Sequence, residues 1–244
     1  MMRDYQKEFA DRVSFIKELL KKSGVSGIVF GNSGGKDSAL VGILCKAACA
    51  NTVGIIMPCS AKRNFGIDKA DGLEVAKEFA IETRIIDLTN QKELALNNLK
   101  QITSLKDAAM ANIAPRLRMI ALYAVAASER RLVAGTSNKS EVYMGYFTKW
   151  GDGASDFNPI ADLTVTEIYE FLKYLHAPKS ILAKAPSGGL FEGQTDEAEM
   201  GVTYQVIDKY ITTGQVTERD KEIINRFHTR SEHKRVGPDI YTSL

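Results

Sequence analysis

Between Gly27 and Leu88 short apolar runs alternate with helical patterns, and no other feature of the sequence constrains the fold as tightly. Gly27-Ile28-Val29-Phe30 enters a glycine-rich turn, Asp37 to Ala48 reads as a helix of Ala, Leu and Ile, and Thr52 to Met57 is a second run stopped by Pro58. Asp68 is placed to cap a helix carrying Ala70, Leu73, Ala76 and Phe79, and Thr83 to Leu88 supplies a third run. Strands separated by helix-length segments pair in parallel, because each return crosses the sheet as a helix on its face. The segment therefore predicts βαβαβ. Tyr5, Phe9, Val13, Ile16 and Leu20 form a stripe that predicts a leading helix ending near Ser23-Gly24. Asn112 to Ser128 predicts a long helix, and Arg131 to Gly135 a fourth strand of a sheet with four or five strands. Thr164 to Leu175 predicts a helix with Ile168, Phe171 and Leu172 on one face, and the stretch after Val202 one or two more before a polar tail. The stretches 145–159 and 187–194 carry no period, and long irregular loops in a compact domain usually carry function. The whole of 1–244 is read as one domain.

Charge excludes some classes of partner. Lys and Arg number 32 against 30 Asp and Glu, so bulk charge supports neither a nucleic-acid nor a membrane partner, and any anion site must be local. Cys45, Cys49 and Cys59 show no CxxC pairing, and the first two lie one helical turn apart, as small apolar residues of a core. The N-terminus has no apolar leader and no run approaches ~18 apolar residues, which together predict a reduced, cytoplasmic protein.

Gly31-Asn32-Ser33-Gly34-Gly35-Lys36-Asp37-Ser38 follows the first strand and opens the next helix. Glycines let the backbone approach an anion without a Cβ clash, and the unpaired N–H groups of a helix's first turn point at it. Ser33 and Ser38 add hydroxyl donors. The segment is neither a GxxxxGK[ST] loop, since Phe30 and Asp37 stand at its diagnostic positions, nor a GxGxxG fingerprint. The remaining pattern, SGGxDS, resembles the pyrophosphate loop of enzymes that cleave ATP between its α and β phosphates. An acid inside a phosphate loop needs a cation between it and the phosphates, so Asp37 is read as a Mg²⁺ ligand in preference to a first-turn helix acid.

Further motifs narrow the resemblance. Gly135-Thr136-Ser137-Asn138-Lys139-Ser140-Glu141, Gly145-Tyr146-Phe147-Thr148-Lys149-Trp150-Gly151-Asp152-Gly153, Asp156, Asn158-Pro159-Ile160, Ala185-Pro186-Ser187 and Ser231-Glu232-His233-Lys234-Arg235 are similar to the NAD synthetase signature, in order along nearly the whole chain. The resemblance implies an α/β fold, a Rossmann-like parallel sheet sandwiched by helices, of the adenine nucleotide alpha hydrolase type. It implies that ATP contacts Gly31, Asn32, Ser33, Gly34, Gly35, Lys36, Asp37, Ser38, Thr136 and Ser187, and that Asp37 and Glu141 hold Mg²⁺. It further implies that Arg116, Lys149, Asp156, His233 and Lys234 hold deamido-NAD, with Lys149 joining Asp37 and Glu141 as catalytic residues. Read singly, Thr136 is a strand-end hydroxyl, Glu141 a helix acid, Arg116 a surface cation and His233-Lys234 a basic tail; only the motifs around them change those readings.

The implied reaction is an ammonia-dependent amidation of deamido-NAD to NAD through an adenylate, with AMP and pyrophosphate released and the stretches 145–159 and 187–200 closing over the intermediate. Glutamine-using relatives carry a large extra amidase domain that this sequence lacks, so free ammonia is the expected donor; a homodimer with its site at the subunit boundary is likewise implied. Two departures stand out. Val165 follows Leu163-Thr164 where the family usually has a phosphate-contacting Lys, and Gly188-Gly189 replaces Ala-Asp after Ser187. Lys36 and Lys184 are the candidate substitutes for the missing cation. Two alternative readings are a tRNA-thiolating relative, which predicts a cysteine pair and a basic face, and a nucleotide sensor without catalysis, which Val165 favours.

Overall fold

The computed structural model describes residues 3–184 and 195–241. Four parallel strands, β1 (Gly27–Gly31), β2 (Thr52–Ile56), β3 (Glu82–Ile85) and β4 (Arg131–Ala134), form one sheet in the order β3-β2-β1-β4. Its register pairs Ile28 with Thr52, Phe30 with Ala134 and Val53 with Glu82. The chain winds outward from β1 to β3, then crosses to the opposite edge for β4. β1 therefore lies at the switch point, where the connections on its two sides diverge and leave a crevice beyond the strand ends.

The leading helix α1 (Tyr5–Ser23) is capped by Asp4 and stops where Gly24 turns left-handed at φ 66°. α2 (Lys36–Ala48) follows β1, and α3 (Lys62–Phe65) and α4 (Ile67–Glu78) join β2 to β3. α5 (Thr89–Leu99), α6 (Asp107–Ala111) and the long α7 (Ile113–Glu129) lead to β4. Beyond it come α8 (Lys139–Met144), α9 (Val165–Tyr174), α10 (Lys179–Ala183), α11 (Asp196–Met200), α12 (Tyr204–Thr213), α13 (Glu218–Arg230) and α14 (Glu232–Arg235).

Alternation along the strands sorts the core into two layers. Ile28 and Phe30 face α1, α2 and α9 through Ile16, Leu40, Leu44, Ile168, Phe171 and Leu172. Val29, Val53, Ile55 and Val133 face α7 through Ala114, Ala126 and Leu122. A third cluster, Met144, Val165, Met200, Tyr204, Ile207 and Ile224, seats the C-terminal helices against α8 and α9. Cys45 and Cys59 are buried, and all three cysteines are free.

The four-stranded parallel sheet bears out the expected α/β class. Three details differ from the reading of the sequence. Asp68 does not cap α4: Gly66 is the N-cap, and Asp68 sits inside the first turn with its carboxylate held by Arg63 and Asn64. The helices α5 and α6 carry weak apolar stripes with no buried residue, so periodicity did not reveal them. The stretch after Val202 forms three helices rather than one or two.

Candidate active site

The carboxyl end of β1 runs into the glycine loop, and the loop is fastened before any ligand arrives. Asn32, 3% exposed, donates its backbone N–H to Ile55 O at 2.9 Å and its side-chain amide to Gly72 O at 2.9 Å, while its carbonyl accepts Gly34 N–H at 3.3 Å. Gly34 adopts φ 69°, and a Cβ there would lie 2.0 Å from the Asp68 carbonyl oxygen. Glycine is required twice over, by backbone conformation and by contact. The Ser33 hydroxyl accepts Gly35 N–H at 3.3 Å and lies 3.1 Å from that of Ser38, which donates to Gly35 O at 3.0 Å. Gly35 is the N-cap of α2 and no side chain caps that helix, so its first turn presents unpaired N–H groups beside the crevice.

α8 brings in the second acid. Asn138 caps it in a capping box, accepting Glu141 N–H at 2.9 Å while its own N–H donates to Glu141 Oε2 at 3.3 Å. Its amide also donates to Asp37 Oδ1 at 3.0 Å, so one asparagine positions both carboxylates. Between them lies the Lys36 ammonium, 2.6 Å from Asp37 Oδ2 and 3.5 Å from Glu141 Oε1. Burial, then the Asp37 charge, push the Glu141 carboxyl well above the usual carboxylate range against the pull of Lys36. Burial by itself favours neutral Lys36, but Asp37 and Glu141 outweigh it and raise its pKa. Among the described residues no group of three or more His, Cys, Asp or Glu is placed to hold a metal ion. The Asp37 and Glu141 pair still suits Mg²⁺, which binds through one or two carboxylates and completes its shell with phosphate oxygens and water. The ammonium already between them marks the position as one for a cation.

These groups open into a cavity of about 730 Å³, lined by Gly31, Asn32, Ser33, Gly35, Lys36, Asp37, Ser38, Thr136, Glu141 and Lys234 among others. Gly34 is turned away from it, against Asp68. The Lys234 ammonium donates to Gly145 O and Phe147 O, each at 2.7 Å, and burial lowers its pKa. Gly145, at φ 65°, lets the C-terminal motif dock, since a Cβ there would meet Ser231 Cβ at 2.0 Å. Arg116, Lys149 and His233 come together just outside the lining: Arg116 donates to Lys149 O at 3.3 Å and Lys149 Nζ to His233 O. Asp156 is also outside the lining, with its carboxylate accepting Val133 N–H at 2.8 Å and the Tyr123 hydroxyl at 3.3 Å. Ser187 and Gly189 fall outside the described residues.

Two site residues, Arg118 and Asn138, escaped the sequence reading, and Lys184, read there as a substitute phosphate cation, has a different role. Arg118 lines the cavity, donating to Met57 O at 3.1 Å and Asn64 Oδ1 at 3.2 Å. Arg116 and Arg118 lie roughly 200° apart around a helix, so only one can face the crevice, and sequence spacing does not say which. Asn138 had a visible signal, an Asn three residues before Glu. Lys184 is bound at 2.9 Å to Gly34 O and at 2.7 Å to both Asp68 and Asp71, which fastens the loop to α4. Val165 is 4% exposed within the third apolar cluster, which includes Tyr204, and Lys36 lies 5.6 Å from that ring's centroid. Of the two candidate substitutes for a lysine at 165, Lys36 is therefore beside this cluster and Lys184 is committed elsewhere.

A parallel sheet that delivers a glycine loop, an open helix N-terminus and a pair of acids to one crevice defines a nucleotide-binding α/β protein of the pyrophosphate-loop type. The NAD synthase family model matches residues 8–239, and the chain belongs to that family. It is 40% identical to an NH(3)-dependent NAD(+) synthetase of Carboxydothermus hydrogenoformans, over 98% of this chain and 99% of that protein. Among solved structures, an NMN synthetase from Francisella tularensis superposes with a TM-score of 0.93 at 38% identity, covering 99% of this chain and 100% of that one. An NH3-dependent NAD synthetase from Campylobacter jejuni superposes with a TM-score of 0.78 at 33% identity, covering 98% and 100%.

Proposed function

We propose that the chain is an ammonia-dependent ligase that amidates the carboxylate of deamido-NAD to NAD, converting ATP to AMP and pyrophosphate. The observation that carries this reading is the convergence of the glycine loop, the Asp37 and Glu141 pair and Lys234 on one cavity. The curated relatives at about 40% identity, named as NH(3)-dependent synthetases over nearly their whole length, support ammonia as the nitrogen source.

Ammonia cannot expel oxide from a carboxylate at neutral pH, so the acid must first be converted to a mixed anhydride with AMP. The glycine loop and the N-terminus of α2 receive the departing pyrophosphate, with the backbone N–H groups and the Ser33 and Ser38 hydroxyls as donors. Asp37 and Glu141 would hold Mg²⁺, which supplies charge neutralisation at the phosphate oxygens. Asn138 keeps both acids in position. Arg118 and Lys234, held at the cavity wall by neutral acceptors, supply positive charge to an anionic substrate. No side chain need attack the substrate, because holding two reactants in line can contribute roughly 7–11 kcal/mol. Arg116, Lys149 and His233 at the rim, with Asp156 nearby in sequence, suit the part of a dinucleotide that extends beyond the cavity. A homodimer completing that subsite, a single functional domain and a cytoplasmic location belong to the same reading; no described helix is long and apolar enough to cross a membrane.

The test uses purified protein with ATP, Mg²⁺, ammonium and deamido-NAD, followed for NAD and AMP. Formation of ADP in place of AMP refutes adenylation, and binding of ATP without turnover supports a sensor. A second reading is favoured by the closer superposition on the NMN synthetase, 0.93 against 0.78. In it the acid is nicotinate mononucleotide. The ratio of kcat/KM for the mononucleotide and the dinucleotide decides between them.

A further inference from the structure

Each acid of the carboxylate pair has one oxygen engaged by Asn138: Asp37 Oδ1 by the side-chain amide at 3.0 Å and Glu141 Oε2 by the backbone N–H at 3.3 Å. The other oxygen of each acid, the one left for a cation, faces Lys36 Nζ at 2.6 Å and 3.5 Å. Lys36 is 6% exposed, so its ammonium is not a solvated group passing by chance. It is a fixed positive charge in the position where a metal would use the same two oxygens.

A divalent ion arriving alone meets two disadvantages. It must displace a buried ammonium or sit within a few ångströms of it, where like charges repel strongly because the site is shielded from water. It also finds no group of three or more His, Cys, Asp or Glu placed to hold it among the described residues, whereas Mg²⁺ requires six oxygens and gives up its water reluctantly. ATP changes both conditions at once. Its phosphates supply the missing oxygens and offer the ammonium a more strongly charged partner than either carboxylate. The apolar cluster around Val165, beside which the ammonium lies, contributes no competing cation.

We propose that Lys36 is the internal counter-cation of the Asp37 and Glu141 pair, which excludes a divalent metal from the nucleotide-free enzyme so that metal enters only together with ATP and Lys36 is passed to the phosphates. This rests on the reading of Asp37 and Glu141 as metal ligands.

Mn²⁺ titrations of the full-length protein, followed by electron paramagnetic resonance, test it with and without the non-cleavable α,β-methylene analogue of ATP. Wild type should take up Mn²⁺ at this site only with the analogue. Lys36→Gln should bind Mn²⁺ without nucleotide about tenfold or more tightly than wild type, and Lys36→Arg should remain like wild type. Equal nucleotide-free affinity of wild type and Lys36→Gln overturns the proposal. If Lys36→Gln does not fold, Lys36→Met is titrated in its place with the same two outcomes, and saturable micromolar binding of Mn²⁺ to nucleotide-free wild type also overturns the proposal. Asp37→Asn separates the two claims. Loss of analogue-dependent Mn²⁺ binding in Asp37→Asn, with no gain in Lys36→Gln, removes the Lys36 proposal alone; survival of that binding in Asp37→Asn removes the metal-ligand reading and the proposal with it.

Discussion

Replacing Lys184 with Met removes one ammonium from three acceptors: Gly34 O at 2.9 Å, and Asp68 and Asp71 at 2.7 Å each. The lysine side chain is 14% exposed and the two acids 12% and 11%, so the weak energetics of surface pairs do not apply. Breaking a buried pair by removing one partner costs about 3–5 kcal/mol, mostly through the charge left behind. Asp68 keeps Arg63 at 3.1 Å and the Asn64 amide, so Asp71 is the acid stranded, and the lower end of that range is expected. About 3 kcal/mol corresponds to a fall in Tm of roughly 6–12 °C for a domain of this size. Urea unfolding followed by circular dichroism measures the loss as a shifted midpoint at constant slope. In an Asp71→Asn background the same substitution should cost only about 1 kcal/mol, because no unpaired charge remains. A loss below about 1 kcal/mol in wild type, or an equal loss in both backgrounds, refutes the reasoning. Activity supplies a second reading: without its bond to Gly34 O the loop loosens, and KM for ATP should rise more than kcat falls.

Gly34→Ala forces a Cβ to 2.0 Å from Asp68 O at φ 69°, so ATP binding, measured calorimetrically, should be abolished and Tm lowered. Glu141→Gln tests the raised carboxyl. Because the folded state holds that proton more tightly than the unfolded chain, its stabilising contribution is complete below about pH 4 and is lost as pH climbs through the raised value. Nucleotide-free wild type should therefore lose stability from about pH 5 towards neutrality and above, and the glutamine variant should show a flatter profile in the same denaturation series. Val165→Lys would insert an ammonium at a position 4% exposed among Met144, Tyr204 and Ile207, and should lower Tm, with a cost of several kcal/mol for a buried charge. Asn138→Ala removes a hydrogen-bonding group that engages both acidic residues and should lower kcat with little change in overall helix content, read by rapid-quench assay and circular dichroism.

Interactions close in sequence account for what the amino-acid order determined unaided. Apolar runs at strand length, stripes at helical spacing and the glycines at the end of the first strand are local signals, and from them followed the parallel sheet, the position of the loop and the helices α1, α2, α4, α7 and α9 in outline. The acids Asp37 and Glu141 were marked by motif. Tertiary structure alone decided what those residues meet. That Asp68 is an ion-pair partner of Lys184 rather than a cap, that Arg118 and not Arg116 lines the cavity, and that Lys36 reaches across to an acid 105 positions later all depend on how α2, α4, α7 and α8 pack around the end of β1. A carboxylate, an ammonium and an amide take their chemical character from charges and burial supplied by distant segments, and Coulomb interactions and desolvation follow distance in space rather than position along the chain.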